Sequence, residues 1–182
     1  TGILNSYYSC VGNKINFPIG VINNLALSYV AFKNNNYGLV IFNLLFFMPI
    51  NIKGYFEWNK NSNKDVVENR GLGLKKGVIT IILSIVTGLL VAYLLQLIPG
   101  ERLTYLDSFT NVISFIAGIL LMLRYNESWI LYLVNNVLDL TLWIINFSSG
   151  GFDSLMVLLM SVMYLVINIY ALFKWRDKNE RL

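Results

Sequence analysis

No histidine occurs anywhere in the 182 residues, and cysteine occurs once, at Cys10. The first absence excludes metal sites built on His/Cys sets and any catalytic dyad or triad that depends on an imidazole. The second excludes an internal disulfide. Charge is also scarce: Asp, Glu, Lys and Arg make up 13% of the chain, where a soluble domain carries about 25%. No basic leader region or cleavage site opens the sequence, so a signal peptide is not expected.

What fills the chain instead is apolar. Hydrophobic residues are 56% of it, and the mean hydropathy is +0.59. That balance reads as an all-α integral membrane protein. The net charge of +4 would suit nucleic acid, but the basic residues lie in loops between apolar stretches. Membrane topology is therefore the expected reason for them, with the lipid bilayer as partner and no nucleic acid.

Seven spans are predicted, at Thr1–Gly12, Phe17–Phe32, Tyr37–Phe56, Gly77–Ile98, Leu106–Leu123, Trp129–Phe147 and Phe152–Phe173. The first is shorter than the roughly 20 residues a crossing needs and is read as the tail of a truncated helix. Short alternating strands of the kind a β-barrel requires are not seen. Assigning loops to alternate sides puts Lys14, Lys60, Lys64, Arg70, Lys75, Lys76, Arg124, Lys174, Arg176, Lys178 and Arg181 on one face. The other face receives Lys33 and Arg102, and Lys53 is placed to snorkel toward the basic side. The positive-inside rule then sets the N-terminus outside and the C-terminus in the cytoplasm. Trp58 and Trp175, at the same boundary beside basic residues, are expected to be interfacial anchors.

The sequence also repeats. "FPIGVINNL" (Phe17–Leu25) aligns with "WILYLVNNV" (Trp129–Val137), and "NIKGYFEW" (Asn51–Trp58) with "NIYALFKW" (Asn168–Trp175), at offsets of 112 and 117 residues. Spans 1–3 and 5–7 thus form two like-oriented units joined by span 4, a 3+1+3 parallel repeat of a kind that transporters use. The corresponding boundaries are 1–58 for the first unit, 59–102 for the cytoplasmic loop and connecting helix, and 103–182 for the second unit and tail.

Polar side chains inside a span are costly and face a bundle interior or a wet cavity. Trp129, Tyr132, Asn136, Asp139 and Trp143 fall in a stripe about 80° wide on a helix, with Asn135 at its edge. Asp139 lies near the midplane. Aromatic faces, amides and one carboxylate suit a flat, partly polar heterocycle: the rings stack, the amides donate and accept, and the carboxylate meets a hydroxyl pair or a positive charge. Asn24, Asn43, Asn111, Ser114 and Asn168 complete the candidate substrate-binding set, with Asn51 and Tyr164 open to either role. The structural alternatives are hydrogen bonding between helices for the asparagines, small-residue packing for the Asp107–Thr110–Asn111–Ser114–Gly118 stripe, and an interfacial belt for Trp129. Nothing marks an enzyme: no nucleophile–base pair is visible, and Ser148 and Ser149 sit in a Gly-flanked turn without a base.

These motifs resemble the Pnu family of bacterial vitamin transporters. The stretch "NFPIGVINNLALSYVAFKNNNYGLVIFNLLFFMPINIKGYFEWNKN" is similar to the family's first-half signature, and "ESWILYLVNN" to its Glu-x-Trp-x-x-Trp-x-x-Asn-Asp region on the sixth helix. The resemblance implies a SWEET-like arrangement of seven helices and facilitated diffusion of nicotinamide riboside, thiamine or a nucleoside. A cytoplasmic kinase would trap the substrate, no cofactor is called for, and a homo-oligomer is left open. It also places Trp129 and Asn135 at the substrate, with Tyr132 standing where the family has a second Trp and Asn136 where it has Asp. Thiamine and a deoxynucleoside remain open beside nicotinamide riboside. Two other readings stand beside this one: a proton-coupled carrier using Asp139, and a membrane scaffold that transports nothing.

Overall fold

Lipid offers the backbone no hydrogen-bonding partner, so long apolar segments satisfy their own N–H and C=O groups as helices. The computed structural model describes residues 1–33, 37–63, 66–97, 104–148 and 155–179. Lys64, Arg102, Ser149, Arg181 and the boundary between 102 and 103 lie outside these, as do the side chains of Asp107, Arg176 and Lys178. Among the described residues there are seven helical rods. They are α1 (Gly2–Val11), α2 (Asn16–Lys33), α3 (37–60), α4 (Leu74–Leu95), α5 (Thr104–Met122), α6 (Ser128–Ser148) and α7 (Leu155–Asn179). Three of them hold stretches long and apolar enough to cross a bilayer: Leu74–Leu94, Ser128–Ile145 and Leu155–Trp175.

The third rod is continuous but not uniform. Tyr37–Phe42 and Met48–Lys60 are α-helical, while Asn43–Phe47 between them makes a π-helical turn in which the Met48 N–H reaches back to Asn43 O. Pro49 supplies the reason. It has no N–H to donate and its ring presses on the carbonyl four residues back, a clash that a wider turn relieves.

Six rods form a ring: α1 packs on α2, α2 on α3, the Met48–Lys60 part of α3 on α5, α5 on α6, α6 on α7, and α7 back on α1. The fourth rod stands against α5. That contact is made by Ser84, Gly88 and Ala92, spaced four apart on one helix face. Ser84 and Ala92 are buried, and the Phe109 ring occupies the place a Gly88 side chain would need. Small residues allow the close approach that drives helix association in lipid. The remaining faces of α4, with Ile81, Ile82, Val86 and Leu90, are exposed.

One end of the ring is stitched. Gly12, at φ 76°, closes α1 with paired bonds from Gly12 N–H to Ser9 O and from Asn13 N–H to Tyr8 O. Arg124, at φ 69°, closes α5 in the same way, with Arg124 N–H to Leu121 O and Tyr125 N–H to Leu120 O. Glycine favours this left-handed turn, whereas arginine is strained in it. Arg124 is held there by its ion pair with Glu57 (3.3 Å) and by its Nη1 donating to Glu68 O (3.0 Å). A strap, residues 61–63 and 66–73, begins with a short antiparallel pairing of Ser62–Asn63 with Val66–Val67 and crosses both turns. Its Val67 N–H donates to Gly12 O and its Arg70 N–H to Arg124 O, each at 2.9 Å.

Trp58 and Trp175 are not interfacial anchors. They are 0% and 1% exposed, and with Trp129 (2%) they form the aromatic core at the strap end. The physical reason is that each indole N–H closes a helix end: Trp58 Nε1 donates to Leu121 O on α5 (3.0 Å), and Trp175 Nε1 to Cys10 O on α1 (2.9 Å). Terminal carbonyls need such donors, and only an interior position reaches them. Trp129 is likewise an interior residue and not part of a belt.

Candidate substrate cavity

Above the aromatic floor the six-helix ring surrounds a half-open cavity of about 330 Å³, within the roughly 300–1,000 Å³ that small-molecule pockets span. Every rod of the ring contributes: Asn5 and Ser9 from α1, Asn16 and Asn24 from α2, Asn43 and Asn51 from α3, Ser114 and Gly118 from α5, Trp129, Tyr132, Asn135, Asn136 and Asp139 from α6, and Tyr164 and Asn168 from α7. The π turn of α3 carries Asn43 and Phe47 to this wall. Among the described residues the lining holds one carboxylate, Asp139, and neither Lys nor Arg.

Of the residues singled out in the sequence, Trp129, Tyr132, Asn135, Asn136, Asp139, Asn24, Asn43, Ser114 and Asn168 line this cavity, as do Asn51 and Tyr164. Asn111 and Trp143 do not, and Asn111 is exposed on the outer side of α5. It sits one helical turn from Ser114 but off its face, so a stripe that looks continuous in sequence divides in space. The sequence reading missed Asn5, Ser9 and Asn16. Asn5 and Ser9 are four apart on one apolar helix, a usable signal; Asn16 lies just ahead of the predicted start of its span.

The amides divide into two classes. Some are spent on structure: Asn168 Nδ2 donates to Asn136 Oδ1, and Asn136 Nδ2 to Ser161 O (3.5 Å), tying α6 to α7. Asn51 Nδ2 caps Phe47 O at the π turn (3.1 Å), and Asn23 Oδ1 accepts from Thr1 Oγ1 (2.6 Å). Asn135 Nδ2 donates to Asp139 Oδ2 (3.3 Å). Others are unspent. Asn16 Oδ1, Asn24 Nδ2, Trp129 Nε1 and Asn135 Oδ1 are buried, belong to the cavity lining and have no partner among the described residues. Buried polar atoms are ordinarily paired, and each exception calls for an explanation. These are two acceptors and two donors that the described protein atoms leave without a partner.

Trp129 and Tyr132 meet each other, with ring centroids 5.8 Å apart and planes tilted by 49°. They form one folded aromatic wall and not a pair of parallel plates. Behind it, Trp129 packs edge to face on Trp175 (5.5 Å, 69°), which fixes the indole.

Residues 1–177 match the family described as nicotinamide mononucleotide transporter. The chain is 32% identical over 188 residues to the nicotinamide riboside transporter PnuC of Neisseria mucosa, an alignment covering 100% of this chain and 71% of that protein. It is 31% identical over 185 residues to PnuC of Haemophilus influenzae, covering 100% and 78%. Its fold is similar to a crystal structure of the vitamin B3 transporter PnuC, with a TM-score of 0.80 at 30% identity, over 99% of this chain and 79% of that one.

Proposed function

This chain belongs to the nicotinamide mononucleotide transporter family, and from that premise we propose that it imports nicotinamide riboside across the cell membrane by facilitated diffusion. The observation that carries this reading is the cavity itself: polar, aromatic on one wall, ringed by six rods, and lined by Asp139 with no Lys or Arg among the described residues. Nicotinamide riboside is a pyridinium cation. A lone carboxylate and two aromatic faces favour it through charge and cation–π attraction. A phosphorylated mononucleotide would bring negative charge toward Asp139 with no guanidinium or ammonium in the described lining to receive it, so the riboside and not the nucleotide is the cargo. Trp129 and Tyr132 bear on the ring, Asn135 and Asn24 offer its polar groups an acceptor and a donor, and Asp139 faces its charge. Asn136, Asn43, Ser114 and Asn168 complete the wall.

The architecture fits a 3+1+3 parallel repeat similar to SWEET carriers, with units 1–58 and 103–182 joined by 59–102. What supports it is the order of the ring, the like-built turns at Gly12 and Arg124, and the indole that each unit sends to the other unit's end turn. We assign the strap end to the cytoplasm because Lys14, Lys60, Arg70, Lys75, Lys76 and Arg124 gather there. A cytoplasmic kinase would then keep uptake directed inward.

Proteoliposome uptake tests this reading. Labelled nicotinamide riboside should enter saturably to equilibrium, unaffected by an imposed pH gradient, while nicotinamide mononucleotide stays outside. Failure to take up the riboside, thiamine or any deoxynucleoside would overturn the carrier assignment. Uptake that follows the pH gradient would favour proton coupling through Asp139.

A further inference from the structure

We propose that Asn16 is a specificity-determining residue: its side-chain carbonyl accepts a hydrogen bond from a hydroxyl of the transported molecule's sugar. The inference rests on reading the cavity as the substrate site. Asn16 opens α2 and is 1% exposed, yet it belongs to the cavity lining. Three bonds hold it. Its Nδ2 donates to Ser9 Oγ (2.8 Å), its backbone carbonyl accepts from Asn5 Nδ2 (2.8 Å), and its backbone N–H donates to Asn13 O (3.2 Å). Those contacts fix the amide and leave one atom, Oδ1, buried and unpartnered.

That atom can only accept, so whatever completes it must donate. The order of the ring places α2 opposite α6, the helix that carries the aromatic wall. A ligand whose heterocycle rests on Trp129 and Tyr132 therefore extends its other half toward α2. In a riboside that half is a sugar bearing hydroxyl donors. A deoxy sugar, or a ligand with an apolar arm there, leaves Oδ1 unpaired in a desolvated place. A missing partner of this kind lowers affinity by roughly tenfold to a hundredfold. Rigid placement matters as much as chemistry, because an amide already bound on its other side has little ordering entropy to lose.

The test is calorimetric binding of nicotinamide riboside and of its 2′-deoxy and 3′-deoxy forms to the purified protein. Wild type should bind the riboside at least about tenfold more tightly than one deoxy form. Asn16→Ala should bind all three within about threefold of one another, by losing affinity for the riboside and for the deoxy form that keeps the bonding hydroxyl. Ser9→Ala removes the anchoring bond but keeps the carbonyl, and should still discriminate. Asn16→Asp keeps an acceptor and should discriminate too. Wild type indifferent to both deletions overturns the assignment, as does Asn16→Ala discriminating like wild type. Loss of discrimination in Asn16→Asp overturns it as well, and this holds even if the alanine variant does not fold. Wild type binding none of the three ligands would instead sink the proposed function.

Discussion

Trp58 and Trp175 meet at the strap end with ring centroids 5.8 Å apart and planes inclined by 47°. Each donates its indole N–H to the last turn of a helix in the opposite half of the chain. Phe17 packs edge to face on Trp58 (4.9 Å, 86°), as Trp129 does on Trp175. Four rings thus close the bundle beneath the cavity, and the residues at matching places in the two halves do matching work.

Truncating this plug should be expensive. Trp58→Ala is expected to cost about 3–5 kcal/mol through cavity formation alone, and thermal unfolding in detergent measures it. Trp58→Phe keeps most of the volume but removes the N–H from Leu121 O, for a loss nearer 1 kcal/mol. Equal losses for the two substitutions would show that packing does not dominate.

Gly54 faces the Phe17 ring so closely that any side chain would overlap it. Gly54→Ala should therefore destabilise by about 1–3 kcal/mol, the usual range for overpacking. The partner substitution Phe17→Leu should recover part of that loss, and a double-mutant cycle on the same unfolding signal reads the coupling. Strict additivity would contradict the contact.

At the turn closing α1, Gly12 stands at φ 76°. Gly12→Ala forces a side chain into the left-handed region and should cost about 1–2 kcal/mol. At the like turn of α5, Arg124→Gly removes backbone strain but also removes the bonds to Glu57 and Glu68. The two effects oppose each other, so the net change should stay within about 1 kcal/mol. Circular-dichroism melts of both variants decide whether the arginine's contacts balance its backbone.

Asp139→Asn removes the cavity's carboxylate while an asparagine carbonyl there still accepts from Asn135 Nδ2. Affinity for the cationic riboside should fall roughly tenfold, and affinity for a neutral nucleoside should hardly change. Equal losses for both ligands would assign Asp139 a structural role.

Much of this was legible in the chain. Apolar runs bounded by charge gave all seven helices to within a few residues, because a backbone in lipid has almost no other way to satisfy itself. The polar stripe on α6 pointed to the cavity wall, since only an interior face tolerates amides and a carboxylate. Two kinds of residue escaped. Trp58 and Trp175 carry the composition of interfacial anchors, and their role depends on carbonyls more than sixty and more than a hundred and sixty residues away in sequence. Asn111 and Ser114 share a sequence stripe that helix rotation divides between the outside and the cavity.

The amino-acid sequence alone therefore determined that the chain is helical, that it belongs in a bilayer and that α6 turns a polar, aromatic face inward. These follow from transfer free energies and periodicity, which are local. Which amides are spent on neighbours and which keep an atom without a protein partner among the described residues was decided only when six helices closed into a ring. Asn136 and Asn16 are the same residue type on comparable helices. One is consumed by Asn168 and Ser161, and the other keeps a free carbonyl. That difference is set by distances between helices, which no single helix encodes.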